Sequence, residues 1–205
     1  MEVLDLKPIK NKKIIAYMFA KENSNDLQNR DPRLLTTFLK NEKINFVTID
    51  FDLNINEFRK TPFASVLEKL GIRYEQVDIP EFAMGYLYEE VIEKEELLDS
   101  LIEEYKNLQD RDSYKGLSLK NWIDLLNMEI REKENLLSFK IRPMWIVKKM
   151  LDIARNFKTD EVHFVHFVQT DICEDICSKV VEILRKNNVK VIQYNKKHTI
   201  KNIIF

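Results

Sequence analysis

Glycine is nearly missing from this chain, at 3 of 205 residues, where a typical protein has about 7%. Loops that cradle nucleotide phosphates, of the G-x-G-x-x-G or G-x-x-x-x-G-K type, need several glycines close together. Only a residue without Cβ lets the backbone approach the phosphate. Gly71, Gly85 and Gly116 stand too far apart for either loop, and both are excluded. Cysteine is scarcer still: Cys173 and Cys177 alone cannot build the disulfide framework of a small secreted domain. No apolar run approaches the length of a membrane span, and Met1 to Lys13 is polar and lysine-rich. Neither a membrane segment nor a signal peptide is expected, which makes the cytoplasm the default location.

A large net charge is also lacking. At −1 the chain as a whole has no general attraction for nucleic acid or acidic membranes. Charge is segregated instead. Residues 81–110 carry ten acids against Lys94 and Lys106, and residues 179–205 carry seven bases against Glu182. The basic end, Lys186 to Lys201, is a candidate nucleic-acid contact. Only Tyr194 and Phe205 offer stacking surfaces there, so the interleaved aromatics of single-strand binders are missing and a solvated basic face is favoured.

What is present is an alternation of strands and helices. Ile14–Ala20, Ile44–Phe51, Arg73–Ile79, Val162–Val168 and Val189–Tyr194 are short runs rich in β-branched and aromatic residues, as strands are. The first and fourth are apolar on both faces, which suits central strands covered on both sides. The third is more polar and belongs at an edge. Asp31-Pro32 and Thr61-Pro62 put a capping side chain before proline at the first helical position. Gly71 supplies a left-handed stop, Asp171 with Glu174 has capping-box spacing, and Asn187-Asn188 ends the last helix. The fold expected is a three-layer, Rossmann-like, mostly parallel α/β sheet of about five strands.

The third crossover is far longer than such a connection requires. Val91, Leu98 and Tyr105 recur every seven residues. A polar break at Arg111–Gly116 precedes a second helix expected from about Ser118 to Ser138, and Pro143 is expected to start a further one. Residues 1–205 therefore read as a single α/β domain, with 81–140 inserted as an antiparallel helical hairpin.

Candidate chemistry lies where the strands end. In open parallel sheets the ligand crevice forms beyond the carboxyl ends. Asp50 and Asp52 close the second strand, Asp78 the third, and Asp171 follows the fourth. If they converge, these four carboxylates would hold Mg²⁺ or Mn²⁺ and polarise a phosphoryl oxygen or activate water. Each also has a local use as cap or turn former. Lys21, Arg30 and Arg33, in and after a long polar loop, are candidate anion contacts at a helix amino terminus.

Asp50-Phe51-Asp52 after an apolar strand resembles the D-x-D opening of haloacid-dehalogenase-type phosphatases. The resemblance spans Val47 to Asn54 and implies Asp50 as nucleophile and Asp52 as acid/base. It departs at Leu53-Asn54, where that family has Gly-Thr, and the family's later lysine and acidic motifs have no clear counterpart. His163 and His166 lie three apart in a strand and so point to opposite faces, which argues against one shared zinc. Cys173 and Cys177 share an apolar helical face and read as buried small hydrophobes. The alternative is Cys173 as a nucleophile with His166 as its base.

Ordering some sixty extra residues costs backbone entropy that buried area must offset. The hairpin is therefore expected to pack on a partner, a second copy or the domain itself, with Val91, Leu98, Tyr105 and Trp122 as interface candidates. Its acidity and the basic carboxyl end would attract each other between subunits. Two functions follow from the sequence: an assembly or ligand-sensing module working through the hairpin, or a metal-dependent phosphoester hydrolase or nuclease.

Overall fold

A computed structural model describes residues 11–21, 32–50, 58–169 and 174–194, together with Leu6 and Ile9. Five strands, β1 (Lys13–Lys21), β2 (Phe46–Ile49), β3 (Arg73–Gln76), β4 (Glu161–Gln169) and β5 (Val189–Tyr194), form one sheet in the order β3-β2-β4-β1-β5. Every pairing is parallel. The polar strand β3 takes an edge, and β4 and β1 take the middle, as their compositions require.

Alternation along the strands builds two cores. Ile14, Ala16 and Met18 of β1, Phe46 of β2 and Val162, Phe164 and Val168 of β4 face one way. They pack against α5 (Arg142–Arg155) and α6 (Glu174–Lys186). Phe46 stacks between Phe164 and Phe157, at centroid distances of 4.9 and 5.5 Å. Ile15, Tyr17 and Phe19, with Val47, Ile49, Val165 and Phe167, face the other way, against α1 (Pro32–Asn41) and α2 (Pro62–Leu70). The result is three layers, helix–sheet–helix.

Local signals set the helix ends. Thr61 accepts a hydrogen bond from the Ala64 amide at 3.2 Å, with Pro62 opening α2. Gly71 closes that helix at φ +66, a conformation costly for any residue with a Cβ. Asn188, at φ +61, ends α6 in the same left-handed region. Asp31 and Asp171, the other two expected caps, lie outside the described residues.

Residues 79–141 form a separate compact unit. Its helices α3 (Glu81–Lys106) and α4 (Tyr114–Leu136) run antiparallel. Lys94 meets Glu129 at 3.0 Å, Lys133 meets Glu90 at 2.5 Å, and Lys115 meets Glu104 at 2.7 Å, so residue numbers rise on one helix as they fall on the other. Val91, Ile130 and Leu137 make the seam, with Leu87, Tyr88, Leu98 and Ile141 against it.

Two helix boundaries differ from expectation. The second hairpin helix starts at Tyr114 rather than near Ser118, because Ser113 caps it, accepting from the Gly116 amide at 3.2 Å. Gly116 is a packing residue in the first turn and not part of a break. A Cβ there would stand 2.2 Å from the Arg111 carbonyl oxygen. Pro143 does not open a separate helix either: a π-helical stretch, Leu137–Ile141, leads from α4 directly into α5. Proline has no amide to donate and its ring excludes a carbonyl four residues back, and the wider π-turn before it relaxes that constraint. No helix among the described residues is long and apolar enough to cross a membrane.

Candidate functional site

The chain leaves β2 towards α2 on one face of the sheet, and β4 towards α6 on the other. It leaves β1 towards α1, on the same face as α2. The carboxyl ends of β4 and its two neighbours therefore flank the switch in direction where open α/β sheets hold their ligands.

Here polar side chains enter an otherwise apolar core. Phe46, Thr48 and Asp50 alternate onto the α5/α6 face, as do Phe164, His166 and Val168 of β4. Parallel register sets Thr48 beside His166, and the Asp50 amide extends the ladder by donating to the Phe167 carbonyl. The Thr48 hydroxyl donates to the Val165 carbonyl at 3.3 Å and lies 3.0 Å from His166 Nδ1. His166 is wholly buried, and its Nε2 has no hydrogen-bond partner. That atom lies 3.7 Å from Asp50 Oδ2, beyond hydrogen-bond reach. Thr48, Asp50 and His166 are the buried polar or charged residues of the described structure.

Cys177, on α6, is close enough to Asp50 to feel its charge. Burial first, and then that carboxylate, push its thiol up to about 11, so it is a neutral thiol at physiological pH and a poor nucleophile. His163 takes the opposite face of β4 from His166. Its Nε2 meets Glu161 at 2.9 Å and its ring lies beside that of Tyr17.

The remaining candidates are dispersed. Asp78 is held by a bidentate fork, with Arg142 Nε at 2.9 Å and Nη2 at 2.5 Å donating to its two oxygens. That pair ties the end of β3 to the start of α5. Asp52, Asp171, Arg30 and Cys173 lie outside the described residues. Lys21 ends β1, in register with Gln169. Arg33 is exposed on α1, in a shallow cleft shared with Lys40 and Lys69. Among the described residues, no three of His, Cys, Asp and Glu gather as a metal site.

The hairpin's seven-residue stripe proves to be its own seam. Val91 is buried against Ile130 and Leu137, with Leu98 beside them. The half-buried Tyr105 ring carries the Arg111 guanidinium at 5.5 Å. Of the four interface candidates only Trp122 is open, at 61% exposure. Around it on α4 are Tyr114, at 89%, with Leu117, Leu125 and Met128, all exposed. At 3.6 residues per turn these five fall within a sector of about 140°. Sequence reasoning missed this second face because Asn121, Ser118 and Glu132 interrupt it. His166 as the neighbour of Asp50 was missed as well. The available signal was the run of polar residues, Thr48 and Asp50 after Phe46 and His166 between Phe164 and Val168, on a face otherwise apolar. Comparison with protein families, curated proteins and solved structures finds no match to this chain.

Proposed function

We propose that this protein is an assembly module that pairs with a second copy of itself through the outer face of α4. The observation that carries the reading is the exposed set Tyr114, Leu117, Trp122, Leu125 and Met128 on one side of one helix. An exposed tryptophan with large apolar neighbours on one helix face is a natural anchor for association. The charges beside it suit a self-complementary contact. Two copies of α4 laid antiparallel about an axis near Trp122 set each Lys120 against the other copy's Asp124, and each Leu117 against the other's Met128. An interface with two-fold symmetry needs that reciprocity. The alternative contact, acidic hairpin to basic carboxyl end, has less support, because Glu90, Glu104 and Glu182 already hold lysines within the chain. The near absence of cysteine fits a cytoplasmic setting.

Sedimentation velocity tests the reading. The native chain is expected as a dimer that persists at high salt, and Trp122→Glu as a folded monomer. A native monomer, or a dimer untouched by Trp122→Glu, sinks it.

A second reading, a metal-dependent phosphoester hydrolase, is favoured by one observation: a buried carboxylate, Asp50, near an imidazole, His166, whose Nε2 has no hydrogen-bond partner, at the carboxyl ends of central strands. With Asp78 held by Arg142, Asp50 is the described acid on which that reading stands. Hydrolysis of a generic phosphodiester with and without added Mn²⁺, compared with Asp50→Asn, tests it.

A further inference from the structure

We infer that the outer face of α3, from Phe82 to Glu96, docks a basic amphipathic helix of another protein. This surface is separate from the α4 face of the proposed self-association, and neither depends on the other.

Nothing in the described structure calls for glycine at position 85. Gly71 takes a left-handed φ, and Gly116 makes room for the Arg111 carbonyl, but Gly85 lies inside α3 with open space where its Cβ would stand. Glycine is the poorest helix former after proline, so local preference and internal packing both favour another residue there. What glycine leaves is a notch in the helix surface. Phe82 and Tyr86, 75% and 77% exposed, stand beside it, and the exposed Ile92 lines the same shallow cleft. A notch between exposed apolar side chains suits the close approach of a partner's side chain or backbone.

The spacing points to a helix as that partner. Phe82, Gly85, Glu89, Ile92 and Glu96 follow one another at steps of three and four residues, as the a and d positions of a helix-pairing seam do. Tyr86 and Glu93 stand beside the row at e positions. At 3.6 residues per turn the row lies roughly opposite Val91 and Leu98, which belong to the seam within the hairpin. One side of α3 is thus used inside the hairpin and the other is open. The open row spans about four turns, the length of an ordinary helix.

Charge then selects the sign. Glu89, Glu93 and Glu96 are exposed in or beside the row. The hairpin lysines Lys94, Lys115 and Lys133 pair instead with Glu90, Glu129 and Glu104. Two copies of this face would set acid against acid and repel. A helix with lysine or arginine opposite the three acids, and aliphatic side chains opposite Gly85 and Ile92, would neutralise the one and cover the other.

The test uses the full chain and two synthetic model helices. One carries leucine at heptad d positions and lysine at a and e, and its twin has glutamate in place of lysine. Fluorescence anisotropy of labelled peptides should show the lysine peptide binding saturably, more weakly as salt rises, and the glutamate twin not at all. Glu93→Lys and Gly85→Gln should each weaken binding about tenfold. Glutamine is a better helix former than glycine and its Cβ meets open space. Gly85→Gln should therefore raise the melting temperature while binding falls, which separates lost docking from lost folding. Trp122→Glu should bind as the native chain does. No binding of the lysine peptide overturns the proposal, and so does binding that Gly85→Gln leaves intact, since that marks an acidic surface without a docking seam. A peptide of residues 195–205 that outcompetes the lysine helix would overturn the choice of another protein and give the face to the chain's own basic carboxyl segment.

Discussion

The sheet unit and the hairpin use similar side chains to opposite effect. In the sheet unit, helices on both sides bury β1 and β4 on two faces, and aromatic rings such as Phe46, Phe164 and Phe157 stack within that core. The hairpin has two longer helices, of 26 and 23 residues, yet the apolar side chains they bury are only Val91, Leu101, Leu119 and Ile130, with Leu137 just beyond α4. Phe82 and Tyr86 on α3, and Tyr114 and Trp122 on α4, stay in solvent. A pair of helices has one shared face, whereas a covered sheet has two. Helix length therefore adds exposed surface faster than buried surface, and the hairpin carries surface ion pairs such as Lys94–Glu129, which stabilise little when exposed.

The largest expected effect sharpens that contrast. Phe164→Ala, in the stack at the centre of the sheet, should destabilise by about 3–5 kcal/mol in urea unfolding, while Leu137→Ala in the hairpin seam should fall near the lower end of the ~2–5 kcal/mol range for such changes. Equal costs would break the comparison. Gly116→Ala comes next. The added methyl meets the Arg111 backbone and should cost about 1–3 kcal/mol as overpacking. Amide exchange should show the loss concentrated at the start of α4, and an unchanged melting temperature would deny the close approach.

Arg142→Gln should cost a similar ~1–3 kcal/mol by leaving the half-buried Asp78 carboxylate short of its fork. The companion Asp78→Asn in the same background should recover part of the loss in a double-mutant cycle. Full additivity would mean that the fork contributes nothing. Trp122→Glu should leave monomer stability within about 0.5 kcal/mol, since the side chain is mostly in solvent, while abolishing self-association. A large loss of stability in the monomer would place Trp122 in a core after all.

The smallest effect concerns acid. Lys186 first, and then Lys179, hold the Glu182 carboxyl at about 2, below its ordinary 4.5. A carboxyl depressed in the folded state adds stability that is present above its unfolded value and lost as pH falls towards the folded one. Glu182→Gln should therefore flatten the stability profile slightly between pH 4.5 and 2, and salt should mimic it. An unaltered profile at low salt would show that these exposed pairs contribute nothing.

Much of the architecture was legible in the residues because its causes are local. Thr61-Pro62 and Gly71 bracket α2, Asn188 stops α6, and the two-sided apolarity of Ile14–Ala20 and Val162–Val168 marks the central strands. Where reading failed, the cause was a backbone path or a partner that composition does not announce. Gly116 looked like a breaker because the Arg111 carbonyl it accommodates comes from the turn folding back. Pro143 looked like a helix start because the π-turn that admits it has no composition of its own. Val91 and Leu98 looked like an interface because a seven-residue stripe reads the same whether its partner lies in another chain or about forty residues further along this one.

The sequence by itself determined which segments become strands, which become helices, where several of them end, and that a long helical pair interrupts a parallel sheet. These follow from side-chain periodicity, capping and backbone restrictions within a few residues. Only the tertiary structure decided that β4 inserts between β1 and β2. That order sets His166 in register with Thr48, within 3.7 Å of Asp50, and gives Asp78 to Arg142. Residues 116 positions apart meet because packing two sheet faces under four helices selects one strand order among several that local preference leaves equal.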